Sequence, residues 1–385
     1  MLALGGAWLP PVAAQSGSPR EELKRFFTLS VAEEGIVGAG MYLVARTGVI
    51  DSVFAGLADR DQGRPVTGAT IWHWASITKT FTAIGVMQLR DRGLLSLADP
   101  IVKFVPELRA VHNRYGSMEA ITLRQLLSHS SGFRSPTWPW GGDQAWHPFE
   151  PTEWSQVVAM LPYTEILFPP GSRYQYSNPG VIFLGETIRR LTGDEYEVYA
   201  DKNLLDPLGM YSSYYDVTPY HLRAQRANNY YLIDGKTQAN GIDFDTGITT
   251  SNGGLNAPLA DMAKYLRFLL GGQGGLVRRS TLEEMWRPVI PVGQPGAGNG
   301  ERASVGLGFF ITEYPGGVRL IGHTGSQAGF RSFFWLHPES GTGIIANFNT
   351  SPPSEDAGPE VKPGIQRIFS GLVQRYVIWL QSEAR

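Results

Sequence analysis

The chain has 385 residues, 42% hydrophobic and 18% charged, which is enough for a large core or for two lobes. A formal net charge of −2 carries no polyelectrolyte signal, so nucleic acid is not an expected partner. With no cysteine, disulfides, thiol catalysis and Cys-ligated zinc are excluded.

Residues 1–19 look in part like an export signal. Positions 2–9 are a short apolar run, and Val12, Ala13 and Ala14 offer small residues before Gln15. The basic residues that normally precede such a run are missing, since Leu2 follows Met1 directly. The expectation is a leader or a disordered tail, with export to the periplasm or medium the favoured reading. No apolar run reaches the length of a membrane-spanning helix.

Residues 21–37, after Pro19, predict a helix, and 39–45 and 48–56 predict two strands joined at the turn Arg46-Thr47-Gly48. Then Trp74-Ala75-Ser76-Ile77-Thr78-Lys79-Thr80-Phe81 reads as the mouth of a helix. Ile77, Phe81, Ile84 and Met87 make one apolar stripe that stops at Arg92 and Gly93. Positions three apart share a helix face, so Ser76 and Lys79 are neighbours at the end where N–H groups and the dipole favour negative charge. A serine hydroxyl needs a base before it attacks, and a desolvated lysine can serve because burial lowers its pKa. Taken alone, the pair is more simply an N-cap serine with a surface lysine in the first turn.

From Asp99 to about Asn240 the pattern is helices and long loops. Residues 121–127 are helical in pattern and lead into Ser128-His129-Ser130-Ser131-Gly132-Phe133. No H-x-H or H-E-x-x-H spacing surrounds His129, so it reads as a structural histidine in a polar turn rather than a metal ligand or a base. Trp138, Trp140, Trp146 and Trp154 either pack a small helical lobe or wall a substrate cleft. After Phe168-Pro169-Pro170-Gly171 comes Tyr174-Gln175-Tyr176-Ser177-Asn178-Pro179-Gly180, and then a helix over 181–191. Tyr176 and Asn178 thereby fall in a rigid turn. There a tyrosine can pass protons and an asparagine can orient a lysine or a substrate amide, ordinary turn chemistry being the plainer alternative.

Residues 260–270 predict an amphipathic helix, and 306–312, 318–323, 332–335 and 343–349 predict an antiparallel meander. His323-Thr324-Gly325-Ser326 lies between two of these runs, and 364–380 predicts a helix that covers the sheet. Strands at both ends with helices between them make an α/β chain of the α+β type. The sheet lobe takes about 20–75 and 245–385, the inserted, mainly helical lobe about 76–244, and the cleft lies between them.

Ser76-Ile77-Thr78-Lys79, Tyr176-Ser177-Asn178 and His323-Thr324-Gly325 resemble, in order and spacing, the three motifs of the serine β-lactamase and penicillin-binding protein superfamily. Leu126-Leu127-Ser128-His129-Ser130-Ser131-Gly132 and Phe168-Pro169-Pro170-Gly171 are similar to the class C-like branch. That branch holds class C β-lactamases, D-alanyl-D-alanine carboxypeptidases, D-amino-acid amidases and family VIII esterases. The resemblance runs over about residues 20–380. It implies a β-lactamase/transpeptidase-like fold and a serine hydrolase that passes through an acyl-enzyme, with no cofactor or metal. The substrate would be a small ester, amide or D-amino-acid peptide.

By the same resemblance, Ser76 is the nucleophile, Lys79 and Tyr176 share the proton transfers as a coupled pair, and Asn178 orients Lys79 and the substrate. His323, Thr324, Gly325 and Ser326 face the substrate, and the backbone N–H groups of Ser76 and Ser326 form an oxyanion hole. The best-known lactamases carry a lysine where this chain has His323. A histidine grips a carboxylate less well, so esterase or peptidase chemistry is favoured over a true β-lactamase. Arg331 is either a substitute charge or a surface arginine. The alternative from another class is a penicillin-recognising sensor that acylates and stalls. An α/β-hydrolase would need a G-x-S-x-G elbow, which the chain lacks.

Overall fold

The computed structural model describes residues 17–135, 151–233, 235–242, 246–272, 274–293, 300–351 and 364–383. The chain opens with α1 (Pro19–Glu33), β1 (Gly38–Ala45), β2 (Gly48–Asp59), the short β3 (Arg64–Pro65) and β4 (Ile71–His73), which runs into α2 (Thr78–Asp91). The helical stretch holds α3 (Leu123–Leu127), α4 (Trp154–Met160), α5 (Asn178–Thr192), α6 (Tyr196–Ala200) and α7 (Asp206–Leu208). There follow β5 (Tyr214–Tyr215), β6 (Tyr230–Ile233), β7 (Lys236–Ala239), α8 (Thr250–Gly253), β8 (Leu255–Pro258), α9 (Leu259–Leu269) and α10 (Arg279–Met285). The closing part is β9 (Ile290–Pro291), β10 (Arg302–Val305), β11 (Phe310–Glu313), β12 (Arg319–Gln327), β13 (Phe330–His337), β14 (Thr342–Phe348), β15 (Thr350–Ser351) and α11 (Gly364–Glu383).

Among the described residues, nine strands form one sheet in the order β3-β2-β1-β14-β13-β12-β11-β10-β9. The N-terminal hairpin thus lies beside the C-terminal strands, as the element order predicts, and β1 pairs antiparallel with both β2 and β14. Period-two alternation assigns the faces. Met41, Leu43, Phe333, Trp335, Ile344 and Phe348 pack with α1 and α11, while Tyr42, Val44, Phe334, Leu336 and Ile345 face the helical side. With both faces covered, the central strands read as nearly unbroken apolar runs. α1 meets the sheet through Leu23, Phe27 and Val31, and α11 through Ile368, Leu372, Tyr376 and Leu380, all at four-residue spacing. Both edge strands of the sheet are two residues long and contain a proline, which removes a ladder donor where another chain could pair.

Two expectations change. β12 runs through His323-Thr324-Gly325-Ser326 to Gln327, so this motif lies inside a strand rather than between strands. The turn is instead Ala328-Gly329, because Gln327 pairs with Phe330. Asn178 is the first residue of α5, capped by the Ser177 hydroxyl that accepts from Gly180 N at 3.1 Å, and only Tyr176 remains in the preceding loop. Of the tryptophans, Trp138, Trp140 and Trp146 lie outside the described residues, as do residues 1–16. Trp154 opens α4, packs edge-on against Phe183 and donates to Glu107 Oε1 at 3.4 Å, a packing role.

Candidate active site

α2 is buried along its whole length from Thr78 to Leu89, which a short helix tolerates only if its polar groups find partners. Thr78, Thr80 and Thr82 turn their hydroxyls back onto main-chain carbonyls, Thr78 onto Ala75 O at 2.7 Å and Thr80 onto Ile77 O at 2.8 Å. The turn before the helix is held from the side: Trp74 N donates to Leu255 O at 2.9 Å, and its indole Nε1 donates to Ala257 O at 2.9 Å. Ala75 takes the left-handed conformation (φ +48°), uncommon for a residue with a Cβ, and sends Ser76 into a 3₁₀ turn at the mouth of α2.

Lys79 is 2% exposed. Its Nζ lies 3.0 Å from Ser76 Oγ and donates to the carbonyl of Asn252 at 2.8 Å. Burial holds the amine well below the usual lysine range. Nζ also sits 5.0 Å from the centroid of the Tyr176 ring. The sequence reading had Asn178 orient Lys79. In the structure the Lys79 amine donates to the Asn252 main-chain carbonyl in α8, and the Asn178 carbonyl accepts from Asn252 Nδ2 at 3.4 Å.

Tyr176 lies against the Lys79 amine, with its ring centroid 4.6 Å from that of His129 and 6.3 Å from that of His323. His129 is a structural histidine of the turn after α3, as its sequence context suggests, but a buried one. It is 2% exposed, and its Nδ1 accepts from Ser177 N at 3.2 Å. The resemblance over residues 126–132 runs through His129 without giving it a role, and nothing in the sequence ties Asn252 to Lys79.

The third segment is an open strand edge. β11 pairs with β12 only as far as Gly322, so beyond that point the outer edge of β12 has no partner strand among the described residues. Gln327 and Phe330 close a two-residue hairpin, which makes them a hydrogen-bonded pair. The pairs alternate, so the N–H and C=O groups of Ser326 and Thr324 point away from β13, toward that open edge. Gly325 carries no Cβ because one there would run into the Trp74 carbonyl and the Ser332 hydroxyl, so the strand passes directly against the nucleophile turn.

His323 is sealed rather than presented. Its Nδ1 donates to Thr324 O at 2.6 Å, which leaves Nε2 the unprotonated nitrogen, buried without a hydrogen-bond partner among the described residues. The ring packs 5.0 Å from Phe310. Burial, with the Lys79 amine second, pushes its pKa down to about 3, so it is neutral at physiological pH. It offers a carboxylate no charge at all, less than its residue type alone suggests.

Arg331 is anchored on main-chain carbonyls. It is only 9% exposed, so it is not a surface residue, and its Nη1 donates to Ala328 O at 3.2 Å and Phe330 O at 2.9 Å. Arg331→Met should cost roughly 1–3 kcal/mol of stability by stripping two carbonyls. It should change KM alike for carboxylate-bearing and neutral substrates, and a selective loss toward the former would contradict this. Among the described residues, no three His, Asp or Glu side chains gather in a metal-holding cluster.

The assembly is a hydroxyl at the mouth of a buried helix, a desolvated amine against it, a tyrosine ring against that amine and an open strand edge. A family model described as Beta-lactamase matches residues 23–361. The chain is 31% identical over 223 residues to Beta-lactamase-like protein 2 of Dictyostelium discoideum, covering 56% of this chain and 38% of that one. It is 31% identical over 214 residues to Esterase EstB of Burkholderia gladioli, covering 53% and 54%. The chain thus spans about half or less of the length of these two curated relatives. The octameric penicillin-binding protein homologue of Pyrococcus abyssi has a similar structure, with a TM-score of 0.74, 29% identity, and coverage of 92% of this chain and 77% of that one. Since the matched span runs through the nucleophile turn, the tyrosine loop and the open strand edge together, this chain belongs to the β-lactamase family.

Proposed function

We propose that the protein is a serine hydrolase that acylates Ser76 with small ester or amide substrates and then releases the acyl group to water. The carrying observation is the 3.0 Å approach of a fully desolvated Lys79 amine to Ser76 Oγ. With Lys79 neutral and one of its protons on Asn252 O, its lone pair is available to the serine proton. As Oγ attacks the carbonyl, charge collects on the carbonyl oxygen, and the N–H groups of Ser76 and Ser326 are the donors proposed to receive it. Tyr176, over Lys79, would carry the proton on to the leaving oxygen or nitrogen. In the second half the same pair would take a proton from water, so their titrations belong to the couple rather than to either residue.

The neutral, sealed His323 supports esters and amides without an essential carboxylate over β-lactams, and the esterase among the relatives supports the same side. A protein that acylates and stalls is the competing reading. Intact-mass measurement after incubation with a penicillin, alongside turnover of a short-chain p-nitrophenyl ester, separates the two. The expected result is rapid ester turnover that vanishes in Ser76→Ala, with no persistent drug adduct. A stable adduct on Ser76 without ester turnover would favour the sensor, and silence in both assays would remove the catalytic reading.

A further inference from the structure

Tyr176 is carried on a loop rather than in a helix or strand, yet its ring must stay over Lys79 for a proton to pass. The two amides that flank it both end on one residue. Gln175 N donates to the main-chain carbonyl of His129 at 2.8 Å, and Ser177 N donates to the His129 imidazole Nδ1 at 3.2 Å. For its carbonyl and its side chain to face the same stretch of chain, His129 adopts φ +53°. Histidine is among the few non-glycine residues enriched in that conformation. Its ring then lies 4.6 Å from the Tyr176 ring at an interplanar angle of 35° and meets Tyr174 edge-on at 6.2 Å.

We infer that His129 is a positioning residue for proton transfer, clamping the backbone on both sides of Tyr176 and backing its ring, so that the phenol is held over Lys79. The inference rests on the acyl-enzyme reading above. Because Nδ1 accepts from an amide, the ring proton sits on Nε2 and the imidazole is the neutral form. Burial keeps His129 far below its ordinary range, so the clamp does not open at mildly acidic pH. The titratable groups facing it are Lys79 on α2, Tyr174 and Tyr176 on the clamped loop, and His323 on β12. A protonated His129 would lose the Ser177 bond and place a cation beside Lys79. Burial acts against both.

The test compares substitutions that tolerate the same backbone. His129→Gly keeps φ free but removes acceptor and ring, whereas His129→Asn accepts the left-handed conformation and places Oδ1 where Nδ1 stood. Circular dichroism checks the fold, and an ester assay with a serine-reactive phosphonate reads the site. For His129→Gly, kcat should fall roughly 100-fold with KM nearly unchanged, since about an ångström of misplacement costs that much. Water admitted beside Lys79 should also raise its pKa, so the acidic limb of the kcat/KM profile should move to higher pH. His129→Asn should recover to within about tenfold of the parent and keep the parent's limb.

If Gly and Asn lose activity equally, or neither loses any, the assignment is overturned while the acyl-enzyme reading stands. A parent enzyme that the phosphonate fails to label would overturn both. Should the Gly variant not fold, His129→Gln replaces it. Gln Oε1 overlies Nε2 rather than Nδ1 and cannot reach Ser177 N, so an active Gln beside an inactive Asn would overturn the proposal.

Discussion

Lys79→Met should slow acylation roughly 10⁴-fold, because it removes the only amine against Ser76 Oγ among the described residues while keeping most of the side-chain volume. The same substitution should change how stability depends on pH. In the unfolded chain Lys79 holds its proton up to about 10.5, whereas burial makes the folded protein give it up well below that value. Between those two points the unfolded state binds more protons, so the parent's stability rises with pH through the window and levels off above about 10.5. Methionine does not titrate. The stability of the parent minus that of the variant should therefore increase as the pH rises toward about 10.5 and level off above it.

The absolute order of the two proteins at neutral pH is a balance. Methionine avoids desolvating a cation but leaves the Asn252 carbonyl without its donor, a cost of roughly 1–3 kcal/mol. The slope is free of that offset. Thermal melts across the range, with burst kinetics on an activated ester, read both effects. Parallel pH curves, or a variant that acylates at the parent's rate, would mean that Lys79 is charged in the folded protein or is not the base.

What could be read in the residues was whatever depends on short-range geometry. A three-residue step on a helix put Ser76 beside Lys79, and Pro19 and Gly93 punctuated helices where the structure starts and stops them. Alternation of large apolar residues marked the strands that carry the sheet. The rest depends on partners that are distant in the chain. His129 becomes a site residue only because the loop carrying Tyr176 returns over it, and Asn252 because α8 packs against the mouth of α2. Gly325 fell between two predicted strands, since glycine weakens a strand pattern. Its reason is the Trp74 carbonyl, some 250 residues earlier, and no local pattern contains that. Charge failed in the same way. His323 and Arg331 were weighed by residue type, whereas their burial and their bonds to main-chain carbonyls decide what each can offer a substrate.

That close approach sets the second large expectation. Gly325→Ala should cost roughly 10²–10³-fold in kcat/KM and roughly 2–3 kcal/mol in stability. The added methyl would press on the Trp74 carbonyl and on the Ser332 hydroxyl. A hydroxyl can rotate away, but the carbonyl is main chain. It accepts from Ile77 N at 3.2 Å and from Ser332 Oγ at 3.2 Å, so it cannot turn without unwinding the 3₁₀ turn that presents Ser76. The strand must therefore back away from the nucleophile turn or push it aside. Either movement separates the N–H of Ser326 from that of Ser76, the two donors proposed to share one oxygen. Adding Ser332→Ala to Gly325→Ala tests which contact governs. If the main chain does, relieving the hydroxyl clash restores little, and the double variant should stay within about threefold of the single one. Near-complete rescue would assign the constraint to a side chain and leave the nucleophile turn free to move. Normal activity in Gly325→Ala itself would mean that the strand edge and the serine are not held in mutual register, and the proposed oxyanion hole would lose its geometric basis.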